Sequence, residues 1–287
     1  MSRKKILNTC REIWKLKLLE MLLVKLTKNK MYGTFFTKLP PNHYQYKKGT
    51  VRKVEIDGVR YELDISDIMD WYIYFGFKDV ARAKLFDITN KGEVIIDVGA
   101  NIGGTTLNFA KIVGPRGKVY SFEPDPINYK TIKTNVNLNT FENIVLNNLG
   151  LGNVAGSFKI FTVDENNKGM NRIVGNKFSG DDYRGIRVIT LDAYFKENDI
   201  QSVDLIKIDV EGFEFNVLKG AIEVVKKFHP KFFIELDDSN LREQKSSAKE
   251  LVEYLIENKY EIYNAESNEK VLLEQDFANC HYDIVAR

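Results

Sequence analysis

VIIDVGANIGG, residues 94–104, is the stretch that decides the architecture of this 287-residue chain. Val94, Ile95 and Ile96 form a short apolar run suited to a strand covered on both faces. Asp97 closes that strand. Gly99, Asn101 and Gly103 then occupy a turn in which residues tolerant of positive φ are favoured. From Thr105 to Val113 the apolar residues Leu107, Phe109, Ala110, Ile112 and Val113 return at helical spacing, and Gly114-Pro115 stops the run. A strand, a glycine-rich turn and a helix N-terminus together present backbone N–H groups that suit an anionic or polar cofactor.

Two features favour S-adenosylmethionine over a dinucleotide in such a pocket. The turn reads Gly-x-Asn-x-Gly and not G-x-G-x-x-G, so the spacing that seats a pyrophosphate is altered. An acid also stands two residues before the first glycine, where it suits an ammonium and a sulfonium better than a pyrophosphate. The next segment, GKVYSFEPDP, supplies a strand over Val119–Phe122 with Glu123 at its end. Glu123 follows Gly99 by 24 positions, near the interval of about 20 at which an acid grips ribose hydroxyls in nucleotide-binding folds. Asp125 reads as an N-cap with Pro126 at the first helical position. The competing reading, a tight turn beside a solvated acid, does not explain why the pieces fall in this order.

A third segment, VDLIKIDVEGFE (203–214), has an apolar strand bracketed by Asp204, Lys207, Asp209, Glu211 and Glu214. That many charges at one strand end are costly to bury without partners, so the cluster is expected to face a cleft or a ligand. KFFIEL (231–236) is a further strand, with Glu235 near its end.

The motifs IDVGANIGG (96–104), SFEPDP (121–126), NIVLNNLGLGN (143–153), VITLDAY (188–194), DLIKIDVEGFE (204–214) and KFFIEL (231–236) resemble the FkbM family of S-adenosylmethionine-dependent methyltransferases. That family lies within the class I, Rossmann-like enzymes. The resemblance implies an α/β fold with a doubly wound, mostly parallel, seven-stranded sheet. It also implies methyl transfer to a hydroxyl of a sugar, a glycolipid or a secondary metabolite. On this reading the turn of Gly99, Asn101 and Gly103 lies under the amino-acid end of S-adenosyl-L-methionine. Asp97 attracts its ammonium, Glu123 holds the ribose hydroxyls, and Asn148 sits near the adenine. Asp209 is the expected base, Glu235 its helper or substitute, Glu211 a hydrogen-bonding clamp, and Lys207 orients the pair. The alternative for Asp209 and Glu211 is a capping and turn role at the next helix. No metal site is assigned, because two carboxylates alone make a thin ligand set.

Two other classes compete. An NAD(P)-dependent oxidoreductase shares the strand, turn and ribose acid, but needs a hydride-transfer constellation of its own. A non-catalytic nucleotide-binding scaffold leaves the dense charge from Asp209 to Glu214 without a purpose.

Composition agrees with an ordinary globular protein, with 44% hydrophobic and 29% charged residues. Cys10 and Cys280 lie at opposite ends without metal spacing, so a reducing, cytoplasmic setting is the simplest expectation. The net charge of +2 hides an asymmetry: residues 1–30 hold nine Lys or Arg against Glu12 and Glu20, and the remainder is acidic. Lys4 to Lys28 reads as a helix that mixes lysines with large apolar residues. It is too interrupted to span a bilayer and lacks the features of a signal peptide. It either rests on an anionic membrane or a partner, or docks its apolar face on the main domain with its lysines solvated; docking is the favoured expectation. A nucleic-acid partner is not expected, because the body is acidic.

Along the chain, residues 1–49 are expected to be a basic helical extension and a linker, and residues 50–287 the cofactor-binding domain. Within the latter, Asp57-Gly58 between alternating runs signals a β-hairpin over 51–64. Trp71 to Asn90 reads as helical. Strands at 94–97, 118–122, 143–147, 203–208 and 231–236 alternate with helices near 104–113, 126–138, 213–227 and 244–258. Closing strands are expected near 260–263 and 282–286, the last one antiparallel. This alternation implies right-handed crossovers and a parallel sheet. Between the third and fourth of these strands lies a long insertion with an extra β-pair at 157–163 and 186–191, and a polar span, 166–185, that is a candidate substrate loop.

Overall fold

A computed structural model describes residues 8, 9, 11–162, 167, 169, 171–174 and 183–287. The chain forms two compact units, one of residues 1–79 with 163–169 and one of 80–162 with 170–287. The division follows Asp79 instead of falling at residue 49, because the hairpin and the helix after it pack on the N-terminal helix.

In the first unit, helix α1 (Lys17–Thr27) is preceded by a 3-10 turn over Glu12–Lys15. Leu16, at ψ 127°, breaks what the periodicity presents as one continuous helix. Strands β1 (Val51–Ile56) and β2 (Val59–Asp64) pair antiparallel, and Asp57 and Gly58 both take positive φ, as a two-residue hairpin turn of this kind requires. Helix α2 (Ile68–Phe75) is N-capped by Asp67 and ends at Gly76 in the left-handed region. That break divides the expected 71–90 helix in two. Thr27 at the end of α1 donates to the Phe75 carbonyl at 2.6 Å, and α2 packs on both α1 and β2. The expected linker, 31–49, is also packed: Pro40 and Pro41 are buried, and Trp71 Nε1 donates to the Pro41 carbonyl at 2.9 Å.

The second unit opens with α3 (Val80–Asp87) and is built on a seven-stranded sheet. Its strands are β3 (Val94–Val98), β4 (Lys118–Phe122) and β5 (Ile144–Asn147), then β10 (Leu205–Ile208), β11 (Lys231–Asp237), β12 (Ile262–Asn264) and β13 (His281–Ala286). The order across the sheet is β5-β4-β3-β10-β11-β13-β12. β13 runs antiparallel to both its neighbours, and the other pairings are parallel. The expected doubly wound sheet is therefore present. The order of connection reverses between β3 and β10, which makes the C-terminal ends of these strands the crevice of the fold.

Both faces of the sheet are covered, as the apolar runs require. Ile96, Val98, Ile206, Ile208, Phe232 and Ile234 pack on one side, and Ile95, Val119, Leu205 and Phe233 on the other. On the first side lie α6 (Leu191–Glu197), α7 (Glu214–Lys219), α8 (Ile222–Phe228) and α10 (Ala248–Glu257); on the second lie α3 and α4 (Gly104–Val113). Helix α5 (Pro126–Asn137) follows β4, and a short α9 (Asp238–Glu243) follows β11. The expected 213–227 helix is two, because Gly220 interrupts it. A Cβ there would come within 2.0 Å of the Gly152 carbonyl oxygen, so the chain turns where backbones touch.

The insertion is a separate four-stranded sheet in the order β6-β9-β7-β8, with β6 Gly150–Leu151, β7 Gly156–Phe161, β8 Arg172–Val174 and β9 Tyr183–Ile189. β7 and β9 make the expected antiparallel pair; β6 and β8 extend it. Most of the candidate loop at 166–185 lies outside the described residues, as do residues 1–7 and Cys10. Among the described residues no helix is long and apolar enough to cross a membrane.

Candidate functional site

Strand register brings the first elements of the site together. Asp97 in β3 pairs with Lys207 in β10 on one side and with Ser121 in β4 on the other. Asp97 is fully buried. Its Oδ2 accepts from the hydroxyls of Thr105 at 2.7 Å and Thr106 at 2.6 Å, both in the first turn of α4. Its Oδ1 has no hydrogen-bond partner, and the Lys207 ammonium lies 3.6 Å away. Lys207 is itself only 4% exposed. It donates to the Gly99 carbonyl at 2.9 Å and stands 3.3 Å from Asp209. One buried cation thus lies between two carboxylates, one on each strand tip.

The turn after β3 has the backbone its sequence demands. Gly99, Asn101 and Gly103 all have positive φ, at 79°, 48° and 93°. At Gly99 the requirement is also steric: a Cβ would lie 1.9 Å from the Asp209 carbonyl oxygen, so the tips of β3 and β10 meet there. The Asn101 side-chain oxygen is buried without a partner. Its backbone N–H donates to Glu123 Oε2 at 2.8 Å, while Glu123 Oε1 accepts from the Asp125 N–H at 2.9 Å. Burial pushes the Glu123 carboxyl up to about 7, against the pull of these two N–H groups. Asn148, just past β5, donates to the Glu123 and Pro124 carbonyls at 2.9 and 3.0 Å. The structure therefore shows Asn148 bracing the turn that carries Glu123.

On the other side of the crevice, Asp209, Glu211 and Glu235 converge, with one oxygen of each within 4.8 Å of the others. Asp209 is the accessible member, with 48% of its side chain exposed. Glu211 sits in the left-handed region at φ 54° and accepts from Asn240 Nδ2 at 3.0 Å. Burial, reinforced by the charges of Asp209 and Glu214, raises the Glu211 carboxyl to about 8. Burial, then the charges of Asp209 and Glu211, raises Glu235 to about 10, and its Oε2 has no hydrogen-bond partner. At neutral pH the two glutamates therefore hold protons. The three oxygens are also a set that a hard divalent cation could use.

Several contributors were given no part in the site from the sequence. Thr105 and Thr106 fix Asp97. Glu214 accepts from the backbone N–H groups of Val210 and Gly212 at 3.0 Å each and so shapes the turn that presents Asp209 and Glu211. Asp125, expected as a cap, does cap α5 through the Ile127 N–H, but it is also reached by Arg184 and Asn171 of the insertion. Arg172 Nη2 donates to the Asn240 side-chain oxygen at 2.7 Å, behind Glu211. Glu214 stood in the sequence as one charge of the 203–214 cluster, without this role; nothing local in the sequence marks Arg172 or Arg184.

Comparison with known proteins follows this geometry. The family profile of the methyltransferase FkbM domain matches residues 97–262, which include every site residue named above. Methyltransferase sdnD of Sordaria araneosa is 28% identical over 206 residues, covering 61% of this chain and 77% of that protein. Hexuronic acid methyltransferase AglP of Haloferax volcanii is 27% identical over 188 residues, covering 63% of this chain and 73% of its own. Among solved structures, a methyltransferase FkbM from Methylobacillus flagellatus KT aligns at 19% identity and a TM-score of 0.42. That alignment covers 68% of this chain and 43% of the longer solved one. With well over half of its length matched by the profile, the chain belongs to the family of FkbM-domain methyltransferases.

Proposed function

We propose that this chain is an S-adenosylmethionine-dependent O-methyltransferase whose acceptor is a hydroxyl on a sugar, glycolipid or secondary metabolite, with Asp209 as the base. The observation that carries the reading is the split site: buried Asp97 and Glu123 on one side of the β3–β10 crevice, the accessible Asp209 on the other, and Lys207 between them. The donor set fits the cofactor. Asp97 Oδ1 and the Asn101 side-chain oxygen are buried acceptors without hydrogen-bond partners. Asp97 would hold the cofactor's ammonium, and Glu123 with the Gly99–Gly103 turn its ribose and amino-acid portions. When bound, the cofactor supplies an electrophilic methyl group.

The chain's own residues then have two tasks. Asp209 accepts the proton of the incoming hydroxyl as its oxygen becomes nucleophilic, and Lys207 holds that carboxylate in place. Glu211 and Glu235, protonated at neutral pH, are available as hydrogen-bond donors that orient the acceptor oxygen. A hexuronic acid as acceptor of one relative, by that protein's name, supports a sugar-type acceptor.

The test offers radiolabelled S-adenosylmethionine to the chain with a panel of sugar and lipid-linked acceptors, and repeats it with Asp209→Asn. A turnover loss of about 10²–10⁴-fold is expected of a general base, with S-adenosylhomocysteine still bound. Full activity in the variant removes Asp209 from the mechanism. Failure to bind S-adenosylhomocysteine by the unmodified chain removes the cofactor assignment.

A further inference from the structure

The first unit carries a surface that methyl transfer does not use. Helix α1 buries one face through Glu20, Leu23 and Thr27. Its opposite face is also apolar and stands in solvent. Leu18 is 81% exposed, and Met21 and Leu22 share its side of the helix at i+3 and i+4. Lys25 completes that face at i+7. Phe35, 74% exposed, stacks edge-on with Phe36 at the 3-10 turn packed against α1. A helix that is apolar on two faces is expected to be covered on both, and this one is covered on one.

The charge around this face has one sign. Between residues 8 and 54 the sequence holds only two acids, Glu12 and Glu20. Glu20 is turned inward, where it accepts from Arg52 Nε at 2.7 Å and the Tyr74 hydroxyl at 2.8 Å. Glu12 is neutralised by Lys15 at 2.8 Å. Beside Met21 a cavity of about 550 Å³ is lined by Lys17 and by three cations that are already paired: Lys15 with Glu12, Arg52 with Glu20, which also lines it, and Lys53 with Glu62. Exposed apolar side chains next to Lys17 and Lys25 make a surface complementary to acyl chains beneath anionic headgroups.

We infer that this face of α1, with Phe35 and Phe36, seats the protein on a bilayer containing anionic lipid. A second copy of the chain is a poorer occupant. A two-fold contact through this face would gather Lys17 and Lys25 of both copies into one interface.

The experiment sediments the full chain with vesicles of phosphatidylcholine alone and of phosphatidylcholine mixed with phosphatidylglycerol, at low and at molar salt. Binding is expected to the mixed vesicles at low salt and to be weakened by molar salt. Lys17→Ala with Lys25→Ala should lower partitioning by about thirtyfold, at about 1 kcal/mol per lysine. Leu18→Ser with Met21→Ser and Leu22→Ser should lower it by about tenfold or more, and both variants should melt at the parent temperature because the altered side chains face solvent. No sedimentation with the mixed vesicles overturns the inference, as does equal binding by the lysine variant. A dimer in sedimentation equilibrium that the serine variant dissolves assigns the face to a second copy and also overturns it.

Discussion

Replacing Gly99 with alanine separates two contributions that a glycine at a strand tip can make. The first is conformational: at φ 79° an L-residue is strained, at a cost of about 1–2 kcal/mol. The second is steric. The added Cβ would lie 1.9 Å from the Asp209 carbonyl oxygen and 3.2 Å from Val210 Cγ1, so backbone must move, including the Asp209 N–H bond to the Val98 carbonyl at 3.2 Å. Forcing such an overlap adds about 1–3 kcal/mol. Gly92 provides the control, since its φ is 85° and nothing lies within 4 Å of its would-be Cβ. Thermal unfolding should therefore fall by about 3–6 °C for Gly92→Ala and by about 6–15 °C for Gly99→Ala, at about 3 °C per kcal/mol. Calorimetric titration with S-adenosylhomocysteine should give the parent affinity for Gly92→Ala and an affinity at least about tenfold weaker for Gly99→Ala, because the turn would no longer sit against β10. Equal melting shifts and equal affinities for the two variants would refute the claim that β3 and β10 meet at this glycine.

Other outcomes follow from the same crevice. Lys207→Met should destabilise the protein by about 3–5 kcal/mol in urea unfolding, because it leaves buried Asp97 without its cation; adding Asp97→Asn should recover part of that loss, and a single-variant change under about 1 kcal/mol would contradict the pairing. The Glu123 carboxyl titrates at about 7 in the fold, so S-adenosylhomocysteine should bind more tightly as pH rises through that value, and Glu123→Gln should flatten the profile. For stability the sign is opposite: the folded chain keeps that proton to higher pH than the unfolded chain does, so Glu123 costs stability as pH rises from about 4.5 to about 7, which a comparison of melting profiles for Glu123→Gln and the parent would reveal. Dialysis against EDTA should leave turnover unchanged if Glu211 and Glu235 act as protonated donors; a loss restored by magnesium would make the three-carboxylate cluster a metal centre.

The sheet was legible because its strands are short apolar runs punctuated by acids, and their order alone implied the crevice. Asp97, Glu123 and Asp209 were visible for the same reason: each ends a strand. Helix breaks at Leu16, Gly76 and Gly220 were not legible, since apolar spacing continues across each and only a neighbouring backbone or turn imposes the stop. The 31–49 segment looked like a linker because its prolines suppress periodicity, yet Pro40 and Pro41 are buried and the segment belongs to a packed unit. β6 and β8, two and three residues long, carry no pattern of their own and exist through their partners β9 and β7. Arg184 and Arg172 act across dozens of residues, a distance that no local motif encodes.

Arg184 and Asn171 also bear on how such a protein could be retargeted. Both belong to the insertion, and both end on Asp125, a carboxylate with no exposed surface two residues beyond Glu123. An engineer who grafts a foreign loop there to change the acceptor would strip that acid of two partners. On the proposed reading, the graft would disturb the side of the crevice that holds the donor. Exchanges that retain these two residues, and vary only what lies between them, keep that acid paired.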